Sequence, residues 1–148
     1  MNPVMTAALF AVVAMATQTL ACENALTAEE LQEFYCSSDV VFRGFNNRAS
    51  SGFYRNMQGH RIQSASYTYR IEDMFKGTEP PSSSIVVRVT RNLDLDSCTQ
   101  YVTDGQADSA LVFASASGRF QMLETCRHSV PWSCVSESLR SSLSNITC

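Results

Sequence analysis

The sequence predicts a mainly β fold, an OB-like, five- to six-stranded Greek-key β-barrel with flanking N- and C-terminal helices. Two observations carry this reading. Short runs rich in β-branched and aromatic residues recur between polar turns, and helical periodicity is confined to the two ends of the chain. A β-sandwich uses the same ingredients, so composition alone leaves that architecture open.

Taken in order, Thr27-Ala28-Glu29-Glu30 is a capping box ahead of Leu31, Phe34 and Tyr35, which predicts a short amphipathic helix ending near Cys36. Asp39 to Phe45 reads as a strand. Asn46 to His60, with Gly52, Gly59 and several Ser and Asn, reads as a long exposed hairpin loop. Ile62 to Phe75 alternates around Tyr67, Tyr69 and Ile71 and predicts a long strand running into the turn Lys76-Gly77-Thr78-Glu79-Pro80-Pro81. Further strands are expected at Ser84 to Thr90, Ala110 to Ala114 and Phe120 to Thr125, with turns at Thr103-Asp104-Gly105 and Ser117-Gly118. Val135, Leu139 and Leu143 lie four apart and predict a closing helix over Ser133 to Leu143. Trp132, Phe42, Phe75 and Phe113 are expected in the core.

Met1 to Ala21 carries no charged residue, has an apolar stretch from Ala7 to Ala16 and ends Thr19-Leu20-Ala21. This is the pattern of a secretory signal peptide, and the apolar run is short for a membrane span. The expected product is a secreted, extracellular protein from Cys22 to Cys148, long enough for one domain with its own core. All six cysteines (22, 36, 98, 126, 134 and 148) fall in that part, an even number that predicts three disulfides. No Cys-x-x-Cys pair occurs and His60 and His128 are isolated, so no intrinsic metal site and no cofactor are expected. The formal net charge of −3 in an exported chain argues against nucleic acid as a partner. No membrane partner is expected, and the protein is expected to be a monomer.

Several segments together resemble a known family. Cys22 as a new terminus, Phe34-Tyr35-Cys36-Ser37-Ser38-Asp39-Val40-Val41-Phe42-Arg43, Tyr69 with Met74-Phe75-Lys76-Gly77, and Leu123-Glu124-Thr125-Cys126 followed by Val130-Pro131-Trp132 and Leu139 to Leu143 stand in the order and spacing of one fold. They resemble the inhibitory N-terminal domain of the tissue inhibitors of metalloproteinases, the netrin-like module. The resemblance spans Cys22 to Cys148 and stops where the inhibitory domain would end, as in a one-domain form. It implies disulfides Cys22–Cys98 and Cys36–Cys148. The family begins Cys-x-Cys, whereas this chain reads Cys22-Glu23-Asn24. Cys126 thereby loses its family partner, and with the additional Cys134 eight residues later the simplest repair is a Cys126–Cys134 bridge.

The resemblance also implies a chemistry. The α-amine and carbonyl oxygen of a terminal Cys22 would close a five-membered chelate on the zinc of a target protease, displacing the water from its open position. The only zinc involved belongs to the target, and the chain is not expected to be an enzyme. Glu23, Asn24 and Ala25 would continue the contact, with Glu23 entering the enzyme's main specificity pocket, where an unpartnered carboxylate is disfavoured. Asp96, Ser97, Cys98 and Thr99 would form a second contact ridge, with Asp94 and Asp96 adding negative charge.

The alternative reading is a non-inhibitory extracellular binding module. Arg43, Arg48, Arg55, Arg61 and Arg70 lie in a stretch free of Asp and Glu between Val40 and Ile71, a surface suited to matrix components or sulfated glycans. Asn145-Ile146-Thr147 is an acceptor motif for N-glycosylation at Asn145. No Gly-x-Ser-x-Gly, His-Glu-x-x-His or phosphate-loop motif occurs.

Overall fold

The computed structural model describes residues 22, 25–95, 109–116, 121–122 and 129–148. The first element is helix α1, Ala28–Ser37. Its capping box forms as the sequence implies: the Thr27 amide donates to Glu30 Oε2 at 3.0 Å and the Glu30 amide to Thr27 Oγ1 at 3.2 Å. Two orphan amides of the first turn are satisfied reciprocally. Leu31, Phe34 and Tyr35 form the buried face.

The strands are β1 (Val40–Arg55), β2 (Arg61–Lys76), β3 (Ser84–Asn92), β4 (Ala110–Ser115), β5 (Gln121–Met122) and β6 (Ser129–Pro131). Their pairing closes a ring. β1 pairs antiparallel with β2 along one edge and with β4 along the other, β2 with β3, β3 with β5 in parallel, and β5 with β4. The expected mainly β, OB-like barrel is therefore the observed one, and β6 adds to the β4 edge beside β5. Closure covers the β1 edge from Val40 to Gly44, which an open sheet would leave exposed.

Alternation along β1 and β4 builds two cores from one wall. Val40, Phe42, Ala110, Val112 and Ala114 point into the barrel with Tyr67, Tyr69, Ile71, Ile85 and Val87. Val41, Leu111 and Phe113 point outward and are covered by Leu31, Phe34, Tyr35, Val135 and Leu143. β4 is buried on both faces, so its run Ala-Leu-Val-Phe-Ala is continuously apolar instead of alternating. Phe34 meets Phe113 edge-on at 5.5 Å between ring centres, which seats α1 on the barrel. Tyr35 Oη donates to the Phe75 carbonyl and Lys76 Nζ to the Tyr35 carbonyl, both at 2.9 Å. Gly77 then turns the chain at φ +89°, where a Cβ would meet the Asp39 carbonyl oxygen at 3.1 Å. This gives Met74-Phe75-Lys76-Gly77 a physical meaning as the clamp between β2, α1 and the start of β1.

Two expectations need correction. Asn46 to His60 is not a long loop, because β1 continues to Arg55 and β2 begins at Arg61, leaving a turn of five residues between them. The small polar residues there are carried in extended conformation by the ladder to β2, itself paired with β3 as far as Ile62–Asn92. Register shifts between Val41 and Phe42, Arg43 and Gly44, and Asn46 and Arg48 bend β1 as it leaves β4, so its outer half projects as a ribbon. The closing helix is also broken into a 3₁₀ turn Trp132–Cys134, a short α2 at Glu137–Ser142 capped by Ser136, and a 3₁₀ turn Leu143–Asn145. β5, described at Gln121–Met122, falls within the expected Phe120 to Thr125 run, of which 120 and 123–125 lie outside the described residues, as do the expected turns at 103–105 and 117–118.

Candidate functional site

The Cys22 sulfur is bonded to Cys134, with Cα atoms 5.2 Å apart. The implied Cys22–Cys98 and Cys126–Cys134 bridges are thereby overturned, since Cys134 can make one disulfide and makes it with Cys22. The reason is topological. The 3₁₀ turn carrying Cys134 follows β6 on the helix-covered side of β4, and α1 brings the chain start to that same side. Cys36–Cys148 forms as implied, at 5.5 Å between Cα atoms, and ties α1 to the chain end. Gln32 Nε2 adds a bond to the Thr147 carbonyl at 2.7 Å. Cys98 and Cys126 lie outside the described residues.

The seat of Cys134 is built from charge and aromatic surface. Trp132 stacks nearly parallel on Phe75, at 6.0 Å and 10°. The guanidinium groups of Arg43 and Arg140 each lie 4.7 Å from the Trp132 ring centre. Arg140 also donates from Nε to the Val135 carbonyl at 2.9 Å and from Nη2 to the Trp132 carbonyl at 2.7 Å. One side chain thus satisfies two carbonyls flanking Cys134 while covering the indole, an arrangement a lysine ammonium could not reproduce. Arg43 is held from its other side by Glu72 at 3.0 Å and Asp73 at 3.6 Å, and Glu72 accepts from Ser109 Oγ at 2.6 Å. Trp132 is therefore half-buried surface structure that braces the anchor, whereas Phe42 and Phe113 are fully buried as expected. Nothing in the spacing of Arg43 and Arg140 marks them as partners; the signal available was the aromatic pair Phe75 and Trp132 together with the extra Cys134.

Next to the anchor, the Ala25 amide donates to the Cys22 carbonyl oxygen at 3.1 Å. Ala25 is exposed, and Glu23 and Asn24 between them lie outside the described residues. The expected second ridge, Asp96, Ser97, Cys98 and Thr99, also lies outside them. Asp94 is described and is already committed: its carboxylate accepts from the Arg61 amide at 2.7 Å and from Arg61 Nε at 3.1 Å. These bonds hold its pKa below the usual aspartate value, the backbone bond contributing most.

The five arginines of the acid-free stretch do not make one patch. Arg43 belongs to the Trp132 seat, Arg61 to Asp94, and Arg70 lies over the Phe45 ring at 5.8 Å. Arg48 and Arg55 sit exposed on the projecting ribbon. Asn145 is exposed at the end of the last 3₁₀ turn, on the rim of a cavity of about 440 Å³ between α1 and the chain end that Leu31, Gln32 and Ile146 also line. Among the described residues, no three His, Cys, Asp or Glu side chains come together at metal-binding spacing.

A family model described as Tissue inhibitor of metalloproteinase matches residues 20–147. The chain belongs to that family. The matched range takes in the barrel and both cysteines of the Cys22–Cys134 disulfide. No curated protein matches the chain individually. Within the family frame, the departure found here is specific: the brace for Cys22 comes from the turn after Trp132.

Proposed function

We propose that the protein is a secreted inhibitor of zinc metalloendopeptidases, in which removal of residues 1–21 frees the Cys22 amine to chelate the target's catalytic zinc together with the Cys22 carbonyl oxygen. The observation that carries this reading is the Cys22–Cys134 disulfide within a chain of the metalloproteinase-inhibitor family. An amine of ordinary terminal pKa, about 7.7–8.0, donates its lone pair near neutral pH once a metal competes with the proton. The Cys22 carbonyl already accepts one hydrogen bond, from Ala25, and a carbonyl oxygen has a second lone pair for the metal. The disulfide holds these atoms on the braced Trp132 turn before the enzyme arrives, which lowers the ordering cost of binding. Glu23 selects targets that offer a basic group in the specificity pocket, because its carboxylate is costly to bury alone.

N-terminal sequencing of secreted protein should begin at Cys22, and titration against a panel of zinc proteases should give stoichiometric inhibition. One alanine added ahead of Cys22 should weaken inhibition by at least about a hundredfold with the melting temperature unchanged. Full inhibition by that extended form would sink the chelation reading. The second reading, an adhesion module, draws on exposed Arg48 and Arg55; it predicts heparin or matrix binding by a correctly trimmed, oxidised sample that inhibits no protease.

A further inference from the structure

The outer end of the β1–β2 ribbon combines apolar exposure with positive charge. Of the five large hydrophobic side chains exposed among the described residues, four gather there: Phe53 (70 % exposed), Tyr54 (53 %), Met57 (100 %) and Leu95 (71 %). Phe53 and Tyr54 are consecutive in β1, so they point to opposite faces of the ribbon, with Met57 at its apex. Leu95 is brought to the same end because the Leu93 amide donates to the Arg61 carbonyl at 2.9 Å and Asp94 is clamped to Arg61.

The apex turn is held by bonds within itself. Asn56 Oδ1 accepts from the Gln58 and His60 amides at 3.1 and 2.9 Å, the Asn56 amide donates to the His60 carbonyl, and the Gly59 amide to the Asn56 carbonyl. Arg55 closes the turn from the side, donating to the Gly59 carbonyl at 2.8 Å. A tip whose turn is held internally and that carries apolar side chains on both faces can sit at headgroup depth, where water still reaches the backbone groups left over.

Charge settles which surface it would meet. Residues 45–95 carry Arg48, Arg55, Arg61, Arg70, Lys76, Arg88 and Arg91 against Glu72, Asp73, Glu79 and Asp94; Glu72 and Asp73 lie at the far end of β2 on Arg43, and Asp94, near the ribbon end, is paired with Arg61. The whole chain has a net charge of −3, so the acidic excess lies elsewhere and an anionic surface would attract the molecule ribbon-first. A flat protein or glycan partner would use one face of the ribbon. Apolar groups on both faces and the apex fit a wedge.

We propose that this ribbon end is a peripheral anchor for anionic lipid bilayers, with Phe53, Tyr54, Met57 and Leu95 inserted at headgroup depth and Arg48 and Arg55 on the lipid phosphates. This departs from the expectation of no membrane partner; no described helix is long and apolar enough to cross a bilayer, and a wedge at the interface needs none.

The test is co-sedimentation of the Cys22–Cys148 protein with phosphatidylserine-containing vesicles against pure phosphatidylcholine vesicles. Anionic vesicles should capture the protein, and the double substitution Phe53→Ser with Met57→Ser should lower that partition at least about tenfold. Val86→Ser, at the remaining exposed apolar site on β3, should leave it unchanged. In the Met57→Trp variant, added indole emission should shift to the blue with anionic vesicles. Absence of capture, capture that survives the double substitution, or an unshifted Met57→Trp emission would overturn the proposal. So would tip variants that keep full vesicle binding but lose protease inhibition or heparin binding, an outcome that would assign this end to a protein or glycan.

Discussion

The two ends of β1 live in opposite environments. Val41 to Gly44 is paired on both edges, packed on both faces, and lies beneath α1 and the chain end, which two disulfides draw together. Ser50 to Arg55 is paired with β2 alone and exposed throughout. One strand thus passes from a region where nearly every atom is constrained to one where side chains are free to serve a partner. Stability is concentrated at the covered end, and the projecting end contributes chemistry at little structural cost.

The sharpest way to break that contrast is to make the same truncation at both ends. Phe113→Ala should destabilise the protein by about 3–5 kcal/mol, since a fully buried ring between α1 and the barrel leaves a cavity. Phe53→Ala should stay within about 0.5 kcal/mol by denaturant titration. Comparable losses at the two sites would show that the ribbon is packed in solution.

A smaller effect probes the brace. Cys134→Ser, with the Cys22 thiol blocked by alkylation, removes a crosslink spanning 112 residues and should lower stability by about 2–4 kcal/mol. Non-reducing peptide mapping of the parent protein should recover Cys22 joined to Cys134. Recovery of Cys22 joined to Cys98 instead would return the terminus to the family's usual brace.

The smallest effect belongs to the ribbon. Arg61 bonds hold the Asp94 pKa below its unfolded value of about 3.9, so the contribution of this clamp is present above that pH and is lost as pH falls through the lower folded value. Amide exchange at Arg61 should therefore speed up in strong acid before the covered end opens, and Asp94→Asn should remove the pH dependence. An Arg61 amide whose protection does not respond to pH would leave the clamp without effect.

Much of this contrast was written locally. The Thr27 to Glu30 box, the alternation through Tyr67, Tyr69 and Ile71, and the unbroken apolar run of β4 announce their structures because caps and side-chain faces are decided within a few residues. The Asn46 to His60 segment could not be read the same way. Its Gly, Ser and Asn residues favour a loop, and only the neighbouring ladders of β2 and β3 hold it extended.

By itself, then, the sequence determined the fold class, the family and the first helix. Only the tertiary structure decided that Cys22 is braced by Cys134, that Arg43 and Arg140 converge on Trp132, and that four exposed apolar side chains meet at the ribbon end. Local rules act over one helical turn or one strand step, whereas six cysteines allow fifteen pairings and nothing in their spacing chooses among them. That choice is made when barrel closure carries distant segments to the same side of β4.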